Sequence, residues 1–503
     1  MTNTLFDAVF SPHENSDKIF LISDQKQVSY AAFHQQVNRI AHLLLASGMQ
    51  TGDRVAVQAQ KSNTVLALYA ATIKAGGVYL PLNTSYTPHE LEYFISNAQA
   101  SLIVIDESSR ADIEPIAAAQ GATILTLNAD ETGTLSELST QQPAEFTSVP
   151  RAAEDLAAIL YTSGTTGRSK GAQLSHRNLL SNTEILEKAW QFTQDDVLLH
   201  MLPIYHTHGL FVACNLLSYV GGQMIFLPKF NMDQALAFLP QATTMMGVPT
   251  FYTRLLADAR FTQEISQHMR LFISGSAPLL AQTHEEFEQR TQQKILERYG
   301  MTETNMSTSN PYDGERRAGT VGMPLEGVAL RITDAKTGTE VAQGEIGIIE
   351  LKGDNVFQGY WQMPEKTAES FRDDGFFITG DMAFCDKDGY VTIVGRDKDL
   401  IISGGLNIYP KEIESEIDAI DGVTESAVIG VPHPDFGEAV VAIIISDETD
   451  FDVSAVEDYL SARLAKFKQP KAYFKLDALP RNTMGKVQKA QLRQNYKDLF
   501  HQE

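Results

Sequence analysis

The 503-residue chain holds only two cysteines, Cys214 and Cys385, and two tryptophans. Two thiols in so long a chain exclude a disulfide-stapled scaffold and read as buried and reduced, and neither stands at metal-ligand spacing from histidine. Positive charge is scarce too: 40 Lys and Arg face 63 Asp and Glu, a formal charge of −23. That balance argues against a nucleic-acid-binding face or an anionic membrane partner and leaves room only for local basic sites. Long apolar runs are also missing. The opening MTNTLFDAVF lacks the basic and apolar regions of a signal peptide. The best spanning candidate, 197–228, carries no Asp, Glu, Lys or Arg, yet His200, Pro203, His206, His208, Asn215 and Gln223 interrupt it, which suits a buried core. A soluble, cytoplasmic protein is expected. HExxH and GxSxG are absent, and Ser169 prevents a GxxxxGK[ST] loop from forming after Gly164.

What is present is the composition of a folded enzyme-sized chain: 43% hydrophobic and 20% charged residues, with length for about three units at ~150 residues each. The first half alternates short apolar runs with amphipathic ones. VAVQAQ (55–60), VYLPL and SLIVID read as strands, and NTVLALYAATIKAG and SYTPHELEYFISNAQ as helices. The rhythm returns in ATTMMGVPTFYTRLLADARF and RLFISGSAPL, so mostly parallel sheets flanked by helices are expected. The stretch 128–154, rich in Thr, Ser, Gln and acid, reads as a surface connection. From about Gly322 shorter strands and turns indicate a β-rich subdomain. After Arg396 a compact α+β pattern begins, with helices at 411–419 and 454–466 around the hairpin SAVIGVPHPDFGEAVVAIIIS. The fold class is therefore α/β: a large N-terminal domain, 1–395, and a small mobile α+β C-terminal domain, 396–503.

Chemistry concentrates in YTSGTTGRSKGAQLSH (161–176), which directly follows the apolar LAAIL. Small hydroxylated residues and glycines let backbone amides close on phosphate oxygens, and Lys170 adds charge. On composition alone such a stretch is as readily a plain loop. The string resembles the phosphate loop of the adenylate-forming superfamily, and other segments resemble that family in order along the chain. LPIYHTHG (202–209) is similar to its aromatic/His acyl-pocket motif, and GSAPL (275–279) and ERYGMTET (297–304) to its adenine and phosphate segments. TGD (379–381) is similar to its ribose-binding segment, GRDKDLIISGGLNIYPKEIE (395–414) to its hinge and CoA tunnel, and PRNTMGK (480–486) to its catalytic-lysine loop.

That resemblance implies ATP, Mg2+ and coenzyme A as the reaction's small molecules. Lys486, Thr302 and Glu303 would be catalytic. ATP would contact Thr162, Ser163, Gly164, Thr165, Thr166, Gly167, Lys170, Ser276, Ala277, Glu297, Arg298, Tyr299, Gly300, Asp381 and Arg396. Thr166 and Glu303 would meet the metal, Gly404, Gly405, Leu406 and Arg463 would meet CoA, and Lys398 would be the hinge. Leu406 stands where the family frequently has glutamate, and Ser169 where it often has proline. The chemistry agrees with the resemblance: a carboxylate is a poor electrophile, and activating it on an α-phosphate requires charge stabilisation on phosphoryl oxygens. Read alone, Asp381 and Arg396 could be turn formers, His206 a core histidine, and the basic tail residues Arg463, Lys466, Lys468 and Lys471 a solvated face.

For the acid itself, GERRAGTVG (314–322) is similar to malonyl-CoA synthetases. The resemblance implies that Arg317 and Arg270 clamp a distal carboxylate while His206, Thr207 and Met306 line a small pocket. Guanidinium pairs suit this because they bind carboxylates bidentately and hold their proton. An apolar pocket with Arg316 and Arg317 on a surface loop is the structural alternative. A short- or medium-chain acyl-CoA ligase, or an adenylation protein loading a carrier-protein thiol, stays open as a functional one.

Overall fold

The structure is a computed structural model that describes residues 2–23, 26–162, 169–403, 406–448, 451–482 and 485–500. Among these residues the strands form four sheets. In a six-stranded sheet, Thr123–Thr126, Ala100–Ile105, Arg54–Gln58, Val78–Pro81 and Leu156–Thr162 run parallel in that spatial order. Lys170–Ser175 closes its edge antiparallel. A nine-stranded sheet is parallel from Leu296–Met301 through Leu271–Ser274, Thr244–Gly247, Val197–His200 and Gln223–Phe226 to Ile19–Ile22, with antiparallel strands at both edges. The βαβ rhythm of the sequence thus produces two mostly parallel sheets.

Local chemistry explains the helices. Asn63–Lys74 starts where the Ser62 side chain accepts from the Val65 amide, and every residue of it is buried. A helix apolar on all sides fits only between packed layers. Pro88–Ala98 opens with a reciprocal Thr87–Glu90 capping box and buries Leu91, Phe94 and Ile95. The connection at 128–154 is more ordered than its composition predicts. It includes the helix Thr134–Ser139 with Leu135 buried, and the Val149 carbonyl accepts from the Asn3 side chain.

The apolar 197–228 segment is interior. It comprises the strand Val197–His200, a wide helical turn His208–Cys214, the helix Asn215–Val220 and the strand Gln223–Phe226. No helix among the described residues is long and apolar enough to cross a membrane. Cys214 and Cys385 are free thiols; Cys214 is buried and Cys385 partly exposed.

Ala329–Thr333, Gly347–Lys352, Phe377–Cys385 and Val391–Arg396 form an antiparallel sheet. The last sheet contains Ile401–Ser403, Leu406–Ile408, the long hairpin Glu425–His433/Gly437–Ile445, and Ala472–Leu476. That hairpin is apolar on both faces. Val428, Val440 and Ile444 pack with Ile413, Ile417 and Leu460 on one face, and Ala427, Ile429 and Val441 pack with Leu492 on the other. The second helix of this region, Val453–Ser461, ends earlier than its sequence pattern indicates.

Candidate active site

The strands Leu156–Thr162 and Lys170–Ser175 pair antiparallel and set Thr162 opposite Lys170, on either side of the expected phosphate loop. Ser163, Gly164, Thr165, Thr166 and Gly167 lie outside the described residues, as do Gly404 and Gly405. Lys170 leaves this loop with its Nζ 4.1 Å from the centroid of the Tyr360 ring. Burial lowers its pKa, while Glu303 pulls in the opposite direction.

ERYGMTET is a strand, a tight turn and a returning strand. Leu296–Met301 pairs with Asn305–Ser309, leaving Thr302, Glu303 and Thr304 at the turn. Gly300 is required there, because a Cβ would lie 1.9 Å from the Asn305 carbonyl oxygen. Glu303 is buried, its Oε1 accepts from the Tyr360 hydroxyl at 3.0 Å, and its backbone carbonyl accepts from the Phe357 amide at 2.7 Å. A hard cation that keeps most of its ligands as water and phosphate needs only one or two carboxylates, so Glu303 beside a phosphate loop fits Mg2+. No cluster of three His, Cys, Asp or Glu suited to a metal occurs among the described residues.

Side chains alternate along the strand Leu296–Met301, and its neighbours divide between two jobs. Tyr299 donates to Asp381 Oδ2 at 2.6 Å, and Arg396 holds Asp381 Oδ1 at 2.8 Å across a direct strand pairing. The structure therefore brings together the residues expected at the ribose. Glu297 is also buried, but it meets His284 at 3.4 Å and the Gly319 amide, and burial raises its pKa.

Arg298, expected among the nucleotide contacts, belongs to a different cluster. It lies so close to Gly275 that a Cβ there would be 2.3 Å from the guanidinium carbon. It is 4% exposed, and among the described residues neither Nε nor Nη2 has a hydrogen-bond partner. Burial pushes its pKa down to about 9, so it is still a cation at neutral pH. His208 of the acyl motif feels its charge, and His206 in turn lies near His208. Among the described residues His206 Nε2, Thr207 Oγ1, His208 Nε2 and Ser274 Oγ are likewise buried without partners. Ser276 adopts φ 73°, a strained conformation for a non-glycine residue, and sets its Oγ 3.2 Å from His208 Nδ1; Ala277 follows on the same loop. Burial lowers both imidazoles, His206 to about 4, and for His208 the Arg298 charge adds to the effect. Met306 closes against Gly300. An uncompensated buried cation among idle donors has the chemistry of an anion pocket.

The two arginines expected to form a clamp, Arg270 and Arg317, are each engaged with other side chains. Arg270 is bidentate on Asp196, with Nε and Nη2 each 2.7 Å from a carboxylate oxygen, and its Nη1 donates to the Trp190 carbonyl. Phe192 and Tyr312 cover it. Arg270 precedes the strand Leu271–Ser274 whereas the pocket follows it, and a four-residue strand spans about 13 Å. Arg317 bonds Glu315, Asp386 and Asp388 at 2.8–2.9 Å with its guanidinium 4.0 Å from the Tyr390 ring centroid. Both are structural ties. Arg316 is likewise occupied, by three backbone carbonyls.

From the C-terminal region, Lys486 reaches the ribose cluster. Its pKa is lowered to about 8, by burial first and then by Arg396 and Lys398, with Asp381 opposing them. Gly485 would place a Cβ 3.5 Å from Thr250. Lys398 lies in the tight turn Asp397–Asp399 directly after Arg396. Leu406 is 48% exposed, and Arg463 stacks on Tyr459 near Glu416, so these two of the residues expected at CoA lie at the surface in this arrangement. Lys468 is taken by Glu412.

Sequence reasoning missed Tyr360, His208 and the pocket role of Arg298. The available signal for Arg298 was glycine: Ser274 pairs with Glu297, so Gly275 falls beside Arg298 once the strand register is known.

Residues 10–361 match the AMP-binding enzyme family, and residues 412–486 match the AMP-binding enzyme C-terminal domain. A malonate–CoA ligase of Arabidopsis thaliana is 34% identical, with 98% of this chain and 88% of that protein covered. The crystal structure of ATP-bound MatB from Rhodopseudomonas palustris is 57% identical with a TM-score of 0.98, covering 99% of this chain and 100% of that one. The apo structure of the same protein, with equal identity and coverage, gives 0.86.

Proposed function

The chain belongs to the AMP-binding enzyme family, and from that premise we propose that it is a malonate–CoA ligase. It converts malonate, ATP and CoA to malonyl-CoA, AMP and pyrophosphate. The observation that carries the substrate is Arg298, a buried guanidinium with unpaired N–H groups at the acyl pocket. A monocarboxylate would bring only its reacting end and leave that cation uncompensated. Malonate places one carboxylate on Arg298 and turns the other towards the ribose side of the same strand, where Tyr299 and Asp381 meet. Thr207 and Met306 limit the pocket to a short acid.

In the first half-reaction the reacting carboxylate oxygen attacks the α-phosphorus, and the bond to the β-phosphate oxygen breaks, releasing pyrophosphate. Asp381 and Arg396 hold the ribose. Lys486 and the Thr302 hydroxyl stabilise charge developing on the α-phosphate, and Lys170 meets the phosphates. Such preorganised donors supply the larger part of the rate in reactions of this type. Glu303 would hold Mg2+, which when bound would supply charge neutralisation for pyrophosphate departure. In the second half-reaction the CoA sulfur attacks the acyl carbon and AMP leaves.

Lys486 lies near Arg396, Asp381 and Lys398 in the present arrangement, which superposes better on the ATP-bound relative than on its apo form. For the thiol to enter, the region after residue 395 rotates about Lys398 and brings Leu406, Gly404, Gly405 and Arg463 to the acyl group. A cytoplasmic enzyme accords with the acidic, disulfide-free composition. A panel of carboxylic acids read by pyrophosphate release tests the reading. Malonate should dominate, and a short monocarboxylate giving the highest kcat/KM would replace this function with a general acyl-CoA ligase.

A further inference from the structure

Tyr360 joins two groups that the reaction needs apart. Its hydroxyl donates to Glu303 Oε1 at 3.0 Å, and the Lys170 ammonium sits 4.1 Å from its ring centroid. The ring is buried and packed edge-on against Phe357. Its backbone is fixed as well. Residues 358–361 run alongside the strand leaving the phosphate loop, through Gln173 N to Gly359 O, Gln358 N to Gln173 O, and Trp361 N to Gly171 O at 2.7 Å. The Tyr360 amide donates to Thr367 Oγ1 at 2.9 Å. At the other end of this segment the Phe357 amide holds the Glu303 carbonyl. The tyrosine is thus clamped between the turn carrying the carboxylate and the strand carrying the lysine.

Electrostatics explain why a tyrosine stands there. Lys170 and Glu303 attract each other, yet no ion pair joins them; instead each meets a different part of one neutral side chain. A carboxylate only accepts hydrogen bonds, so the Tyr360 hydroxyl is the donor between them. A direct Lys–Glu pair would neutralise the cation meant for phosphate and the anion meant for metal. The ring offers the ammonium a cation–π seat that leaves its N–H groups free for phosphate, and the hydroxyl fixes one carboxylate oxygen while Oε2 has no hydrogen bond among the described residues.

We infer that Tyr360 is a positioning residue of the triphosphate site, orienting Glu303 for the metal and holding Lys170 away from it. This rests on the reading of Glu303 as the metal ligand, so the experiment separates the two. Calorimetric titration of ATP with and without Mg2+ is run on wild type, Tyr360→Phe, Tyr360→Leu and Glu303→Gln. Tyr360→Phe keeps the ring and removes the hydroxyl. It should weaken the Mg2+-dependent part of ATP binding about 10-fold, the scale of losing a partner that orients a metal ligand, and leave metal-free ATP binding unchanged. Tyr360→Leu also removes the seat, and should weaken metal-free ATP binding in addition. Tyr360→Phe that matches wild type with Mg2+, while Glu303→Gln loses its Mg2+ response, overturns the inference alone. A wild-type Mg2+ response in Glu303→Gln overturns the metal reading and the inference with it. Thermal melting of Tyr360→Phe near wild type excludes a folding defect as the source of any loss.

Discussion

Replacing Arg298 by methionine removes the pocket cation while keeping much of its volume. In the free enzyme the guanidinium is 4% exposed and meets no carboxylate among the described residues, and burial lowers its pKa to about 9. Such a group is a cost to folding rather than a support, so Arg298→Met should melt no lower than wild type. With malonate bound the sign reverses, because the distal carboxylate of malonate then sits buried opposite a neutral side chain. Breaking a buried pair by deleting one partner costs about 3–5 kcal/mol, which at ~1.4 kcal/mol per decade is a loss of roughly 100- to 4000-fold. The assay is malonate-dependent pyrophosphate release with ATP saturating, alongside the KM for ATP and the melting temperature. The expected pattern is a collapse in kcat/KM for malonate, an ATP KM within a few-fold of wild type, and an unchanged or raised melting temperature. Malonate kcat/KM within a few-fold of wild type would refute the assignment, and a melting temperature well below wild type would show that Arg298 is a structural residue.

Three further outcomes follow from the same geometry. Arg270→Ala leaves Asp196, 3% exposed at its side chain, without its bidentate partner, and should lower unfolding stability by about 3 kcal/mol in denaturant titration. Arg317→Ala, which breaks only ties among Glu315, Asp386 and Asp388, should leave kcat/KM for malonate within a few-fold in the same pyrophosphate assay. Lys486, lowered to about 8, is charged below that pH and neutral above it, so kcat/KM for adenylation should fall as pH rises through about 8. Transfer from supplied malonyl-adenylate to CoA should not follow that titration, and Lys486→Ala should impair adenylation at least ~100-fold while sparing transfer.

Much of this architecture is legible before any coordinates. Alternation in VAVQAQ and helical spacing in NTVLALYAATIKAG report burial directly, and the strand Arg54–Gln58 and helix Asn63–Lys74 form where those patterns lie. Of the nucleotide residues, Asp381 and Arg396 fall together because their motifs occupy paired strands. The acyl pocket was read less well. A run of sequence does not show which end of a strand faces the site, so Arg270, at the far end of Leu271–Ser274, was taken for a pocket residue. Nor does it show which of two adjacent strand residues turns to which side, so Arg298 was grouped with Tyr299 although their side chains serve different partners. Partners such as Asp196, Asp386 and Asp388, which occupy Arg270 and Arg317, are 69 to 74 residues away and become visible only in three dimensions. Tyr360 and Glu303 are separated by 57 residues, and no local pattern marks them as neighbours.

The central claim is that a buried cation selects the second carboxylate of the substrate. Malonamate tests it most directly, since a neutral carboxamide replaces the distal carboxylate at almost the same size and shape. Under equal conditions with saturating MgATP, kcat/KM for pyrophosphate release should favour malonate over malonamate by at least ~100-fold, the lower end of the cost of leaving a buried charge unpaired. The preference should vanish in Arg298→Met. Equal kcat/KM for the two acids in the wild-type enzyme would contradict the account.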